Sequence, residues 1–215
     1  MELLRYYISE SSQTEQLIHV QDVLTLVHLN EEVVKVNNNT DMTYEIMLAE
    51  KARSGSREAF CELYGIYKDK LYRYALYRLG DPDDAEDAVS ECILEAWKGI
   101  RSLRSSSSFG AWIFRILYNC CMKHIRNAIG LRGSLESMAA ASRREQSSAG
   151  TSDLPLMIEL AEALSQLSED EREIVLLSSA AGLTSSEISV ITGLSSGSVR
   201  SRLSRSMAKM RKYLS

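Results

Sequence analysis

Only two prolines, Pro82 and Pro155, interrupt a chain of 215 residues. A proline costs a helix interior about 3 kcal/mol, so long stretches of this chain are free to be helical. Runs of alternating Val, Ile and Thr are nearly absent, whereas Leu, Ala, Glu and Arg recur at helical spacing. The expected fold is therefore all-α.

The helical pattern is broken in few places. From Thr43 to about Ile129 it pauses near Ser54 to Ser56, at Gly80-Asp81-Pro82 and at the serine run 105–108, which reads as a flexible loop. Residues 130 to 153 are rich in Ser, Ala and Gly and carry no sustained apolar stripe, which is linker composition. A second helical stretch runs from about Leu156 to Leu214. The expected organisation is two small helical domains, 43–129 and 156–215, joined by a flexible linker over 130–155. Residues 1–42 show no clean period and read as an N-terminal extension, with Met42 as an alternative start because helical patterning begins directly after it.

Net charge conceals a segregation. The chain carries −4 overall, yet residues 1–42 hold seven acids against Arg5 and Lys35, and the rest is almost neutral. Within that remainder, residues 81–95 contain seven acids and no base, whereas 98–126 and 193–215 each contain six bases and no acid. One acidic surface and two basic ones suit a molecule that bridges a protein partner and a polyanion. No stretch approaches the roughly 18 to 20 apolar residues that cross a bilayer, and the first residues lack the order of a signal peptide, so a cytoplasmic protein without membrane insertion is expected. Cys61, Cys92, Cys120 and Cys121 form no CxxC pair and read as buried small hydrophobes. No nucleophile–base motif, metal-ligand spacing or phosphate loop is present, so neither catalysis, nor a metal, nor a cofactor is expected.

Each charged block sits on a helix with its own start signal. Asp81 is a cap, Pro82 occupies the first helical position, and acids fill the first turn, where the helix dipole favours them. On that helix Asp84, Asp87 and Glu91 share one stripe, opposite Val89, Cys92, Ile93 and Ala96. On a helix from about Phe109, the polar residues Arg115, Asn119, Lys123 and Arg126 line up beside Trp112, a surface suited to single-stranded DNA, whose phosphates need cations and whose unstacked bases need aromatic faces. In the second domain, Ser168 with Glu171 and Thr184 with Glu187 are capping boxes. Gly193 turns the chain, Leu194 plugs the gap, and Ser195 caps a helix with apolar residues at 199, 203, 207, 210 and 214. Its outer face holds Ser198, Ser201, Ser204 and Arg205, flanked by Arg200 and Arg202, as entry into a DNA major groove requires.

These blocks, in this order, resemble the extracytoplasmic-function group of bacterial RNA polymerase sigma factors, of the sigma-70 family. SREAFCELYGIYKDKLYRYAL looks like the opening helix of sigma domain 2, DAEDAVSECILEAW its polymerase-binding segment, and FGAWIFRILYN the segment that reads the minus-10 element. GLTSSEISVITGLSSGSVRSRLSRSMAKMRKYL looks like domain 4, the helix-turn-helix that reads the minus-35 element. The resemblance implies that Asp84, Asp87, Ser90 and Glu91 dock on the polymerase core at the β′ clamp helices, with the β flap as a further contact. It implies minus-10 binding by Arg115, Asn119, Lys123, Arg126 and Trp112, and minus-35 binding by Ser196, Ser198, Arg200, Ser201, Arg202 and Arg205. It also implies an anti-sigma factor. Ser90 stands where the family usually has Gln, Lys123 where it usually has Asp, and Ser189 where Ala is common. A stand-alone helix-turn-helix regulator is the alternative, but it leaves the acidic stripe and the Arg115–Asn119 stripe without a role.

Overall fold

The computed structural model describes residues 38–135 and 154–214, with side chains from 43 to 128 and from 160 to 214. Every regular element among the described residues is helical. In chain order they are α1 (Asn38–Arg53), α2 (Arg57–Leu79), α3 (Pro82–Gly99), two 3-10 turns (Ile100–Ser102 and Ser106–Ser108), α4 (Phe109–Leu135), α5 (Leu154–Ser165), α6 (Glu169–Ser179), α7 (Ser185–Thr192) and α8 (Ser196–Leu214).

Local chemistry sets most of these ends. Ser56 caps α2 by accepting from the Ala59 amide at 3.2 Å. The helix stops at Gly80, whose amide donates to Leu76 O at 2.8 Å. Asp81 then accepts from the amides of Asp83 and Asp84, both at 3.0 Å, with Pro82 inside the first turn. Both capping boxes close as the sequence predicts: Ser168 with Glu171 begins α6, and Thr184 with Glu187 begins α7. Helix α1 starts at Asn38, ahead of the expected onset near Thr43, and α4 continues to Leu135, past residue 129.

The first helical unit packs α2, α3 and α4 against one another, with α1 against α2. Helix α3 buries Ala85, Ala88, Val89, Cys92, Ile93 and Ala96, so the predicted apolar stripe is its inner face. Between α2 and α4 the core is aromatic: the Tyr67 ring lies 5.4 Å from Phe109 and the Tyr74 ring 5.8 Å from Phe114, both edge-on, an arrangement that adds about 0.5–1.5 kcal/mol per pair beyond area burial. Gly110 makes room for this packing, since a Cβ there would sit 2.9 Å from the Tyr67 hydroxyl. The serine run departs from its expected looseness. Ser106–Ser108 forms a 3-10 turn, with the Ser108 hydroxyl donating to Ser105 O at 2.8 Å, and it packs on α1.

In the second unit α8 packs on α5, α6 and α7. Val199 and Met210 are buried and Leu203, Met207 and Leu214 partly so, which makes the predicted spacing one continuous inner face. The two units also touch, α2 against α6 and α4 against α7, a contact that their separate patterns do not announce.

Candidate nucleic-acid and protein-binding surfaces

The helix-turn-helix is built by α7, Gly193 and α8. Gly193 holds φ +75°, a left-handed conformation that costs a side-chain-bearing residue energy. Leu194 is half-buried in the turn, and the Ser195 hydroxyl accepts from the Ser198 amide at 3.2 Å, starting α8. With Val199 at 0 % exposure anchoring the inner side, Ser198, Arg200, Ser201, Ser204 and Arg205 are exposed on the outer one. The two remaining predicted residues are less free. Ser196 is half-buried, and Arg202 is tied sideways to Asp170 at the start of α6, 2.6 Å away. Lys209 forms a comparable pair with Glu171 at 2.8 Å.

On α4, Arg115, Asn119, Lys123 and Arg126 are all exposed along one stripe. Trp112 is half-buried, its ring 5.8 Å from Phe109, so it borders the stripe while resting on the core. Beneath the stripe, Cys120 and Cys121 are buried and burial pushes each thiol up to about 12. Cys92 on α3 is raised by the same cause. These cysteines are neutral packing groups, as expected from their spacing, and as thiols they add no charge to the surface above them.

The acidic stripe of α3 lies next to this basic one rather than apart from it. Asp87 is exposed and Asp84, Ser90 and Glu91 are half-exposed. Glu91 accepts a hydrogen bond from the Lys123 ammonium, which raises the Lys123 pKa above its ordinary value. His124 stands between the two carboxylates, 3.9 Å from Asp84 and 3.7 Å from Glu91. Residues assigned by sequence to two different partners thus meet at one seam between α3 and α4.

One residue of the acidic surface escaped the sequence reading. Leu94 is 40 % exposed, one turn beyond Ser90 and two beyond Asp87. Its signal was an apolar residue outside the buried stripe at those spacings. Val190 on α7, 63 % exposed, is a second apolar group at the surface, in the turn region of the second unit.

A further cluster was not anticipated. Where α2 meets α6, Glu173 is 5 % exposed and Arg78 8 %. Arg78 donates through Nε to Glu173 at 2.7 Å and pairs through its other nitrogen with Glu169, also at 2.7 Å. The Tyr74 hydroxyl donates to the second oxygen of Glu173. Burial raises the Glu173 pKa, outweighing the lowering by Tyr74 and Arg78. This cluster joins the two units beside the α4–α7 contact, and the residues of both basic surfaces stay largely exposed.

Comparison with known proteins places these surfaces in a family. The family model for Sigma-70 region 2 matches residues 63–128, and that for Sigma-70, region 4 matches residues 157–210. The ECF RNA polymerase sigma factor SigL of Mycobacterium tuberculosis is 30 % identical over 151 residues, covering 69 % of this chain and 85 % of SigL. Among solved structures, CnrH in complex with the cytosolic domain of CnrY superposes with a TM-score of 0.60 at 25 % identity, covering 80 % of this chain and 97 % of CnrH. The sigma factor RpoE in complex with the anti-sigma factor NepR from Bartonella quintana gives 0.59 at 26 % identity, covering 72 % and 96 %.

Proposed function

Because the chain belongs to the ECF RNA polymerase sigma factors, we propose the following division of labour among its surfaces in promoter-directed initiation. The outer face of α3, with Asp84, Asp87, Ser90 and Glu91, docks on a basic surface of core polymerase, and Leu94 supplies an apolar anchor at the C-terminal end of that stripe. Charge of one sign steers and orients such an encounter, and a desolvated apolar group holds it. Trp112, Arg115, Asn119, Lys123 and Arg126 capture the melted minus-10 strand: the cations meet phosphates, and the amide and indole offer contacts to unstacked bases.

The α8 face reads the minus-35 duplex. Ser196, Ser198 and Ser201 lie near the helix N-terminus, where short side chains can reach base edges, while Arg200, Arg202 and Arg205 meet phosphates or guanine. Neither reader has to bind tightly alone, since tethering both to one polymerase raises their effective concentration. Nothing in this scheme calls for catalysis by the chain, and the scheme has it work beside polymerase in the cytoplasm; no described helix is long and apolar enough to cross a membrane. The relatives crystallised with CnrY and NepR support an anti-sigma factor as a further partner.

The observation that carries this reading is that both matched sigma regions occur in order on one chain, each exposing its charged surface. A stand-alone regulator would use only the second. Reconstituted transcription with purified core enzyme separates the two: discrete start sites that depend on this chain are expected, and operator binding with no effect on initiation would overturn the assignment.

A further inference from the structure

Two of the docking carboxylates of α3 are approached from α4. Glu91 is met at both oxygens: the Lys123 ammonium donates to Oε1, and His124 Nε2 lies 3.7 Å from Oε2. The other ring nitrogen of His124, Nδ1, lies 3.9 Å from Asp84 Oδ1. We propose that His124 is a positioning residue for polymerase docking: its protonated ring draws Asp84 and Glu91 onto α4, and its neutral ring leaves them to the polymerase. A proton at His124 then weakens docking, and docking expels that proton, since the coupling of two binding events is reciprocal. The inference rests on the assignment of the acidic face of α3 given above.

Donors and distances carry the argument. A neutral imidazole has one N–H, so it donates to Asp84 or to Glu91 and turns a lone pair toward the other, which a carboxylate cannot use. An imidazolium donates from both nitrogens and attracts both acids. At 3.7 and 3.9 Å neither contact is a hydrogen bond, so the ring stands between two acceptors with room for either to close on it. Once both close, Glu91 has a cation on each oxygen, and a basic partner finds Asp87 as the remaining exposed acid of the stripe. The His124 side chain is 22 % exposed, enough to exchange a proton with water while it stays seated between the two acids.

No other charge near the ring takes over this part among the described residues. Of the elements packed on α4, α3 brings Asp84 and Glu91, with Asp87 between them along the stripe. From α2, Arg78 reaches Met122 Sδ at 3.4 Å, but its charge is met by Glu169 and Glu173. The acid of α7, Glu187, closes the capping box with Thr184, and the 3-10 turn Ser106–Ser108 has no charged residue. On α4 itself Lys123 is held by Glu91, Arg126 folds back on Met122 O at 3.1 Å, and burial pushes the Cys120 thiol up to about 12. Of all these residue types only histidine ordinarily changes charge between pH ~5 and ~8.

The test measures the affinity of the full chain for purified core polymerase between about pH 8 and about pH 5.5. Both contacts are partly exposed, so together they are expected to raise the dissociation constant about three- to tenfold at the lower pH. His124→Gln keeps a polar side chain without a titrating charge and is expected to lose that change. His124→Lys keeps a cation at both values and is expected to bind as weakly at pH 8 as the wild type does at the lower pH. Calorimetry in buffers of different ionisation enthalpy should show wild-type docking releasing part of a proton near pH ~6.5, a release that His124→Gln lacks. Circular dichroism checks folding, and His124→Asn replaces His124→Gln if the latter fails to fold. A folded neutral variant that keeps the wild-type pH profile, or wild-type docking without proton release, overturns the inference. No capture of polymerase by the wild type at any pH overturns instead the docking assignment on which it rests.

Discussion

Lys123 donates a hydrogen bond to Glu91 across the seam between α3 and α4, so a cation assigned to DNA is neutralised by a carboxylate assigned to polymerase. If Glu91 turns toward a basic partner on docking, Lys123 is freed for the nucleic acid. Glu91→Gln on the isolated chain is therefore expected to raise affinity for a single-stranded minus-10 oligonucleotide. It should steepen the salt dependence by up to ~0.7 in log–log slope, the contribution of one added phosphate contact. The same substitution should weaken capture of core polymerase. Anisotropy titrations at several salt concentrations, with a parallel pull-down, measure both, and an unchanged slope would separate Lys123 from the strand.

The acidic surface makes a sharper demand on its partner. Asp87 is exposed on α3, and its side chain enters no described hydrogen bond or ion pair within the chain, so reversing its charge disturbs the interface without touching the core. Asp87→Arg is expected to abolish polymerase pull-down with an unchanged melting temperature. Leu94→Ala should weaken capture without changing its salt dependence, as loss of an apolar anchor does. Retention of polymerase by Asp87→Arg would remove the docking role from this face.

Among the arginines of α8, the structure ranks contributions that their spacing leaves equal. Arg200 is exposed, whereas Arg202 is engaged by Asp170 at 2.6 Å. Arg200→Ala should reduce the salt slope of duplex binding by ~0.9 if it meets a phosphate, and Arg202→Ala by less, because part of its charge is already satisfied. Asp170→Ala should bring the cost of Arg202→Ala up to that of Arg200→Ala. Gel-shift titrations across salt concentrations provide the comparison.

Stability of the reading unit depends on a short helix. Helix α7 has 8 residues and draws its start from the box in which the Thr184 hydroxyl accepts from the Glu187 amide and the Glu187 carboxylate accepts from the Thr184 amide at 2.8 Å. Thr184→Ala should cost about 1 kcal/mol and should lower the midpoint of the second unit before the first. Gly110→Ala should act on the first unit instead, by about 1–3 kcal/mol, since its Cβ would meet the Tyr67 hydroxyl at 2.9 Å. Thermal melts of both variants, followed by circular dichroism, test the contrast.

Features with local causes were legible in the sequence. Caps such as Asp81-Pro82, Ser168-Glu171 and Thr184-Glu187 act within four residues, and each begins its helix where its spacing says. The face of α8 was legible because its apolar residues repeat at helical period. The joint was not. Glu173 sits in the run Glu169-Asp170-Glu171-Arg172-Glu173 and looks like one more solvated acid. Its burial is caused by Tyr74 and Arg78, 99 and 95 residues earlier, and no local pattern reports that distance. The Lys123–Glu91 pair, 32 residues apart, was hidden for the same reason.

The burial of Glu173 gives the joint a direction of response to pH. Facing it are Tyr74 and Arg78 from α2, Tyr118 and Cys121 from α4, and Glu169 from its own helix. Desolvation raises its pKa in the closed arrangement, whereas after opening the group returns toward the ordinary glutamate value of about 4.3. A carboxyl with the higher pKa in the closed form binds its proton more tightly there, so closure is favoured as pH falls through the raised value and is relieved as pH rises above it. The effect is complete below the ordinary value, where both forms are protonated. Lowering pH from about 8 to about 5 should therefore strengthen the contact between the two units, read as a higher melting temperature relative to Glu173→Gln, whose own pH dependence should be flatter. A melting temperature that instead rises with pH relative to Glu173→Gln would mean that the ion pair with Arg78 governs Glu173 more strongly than its burial does.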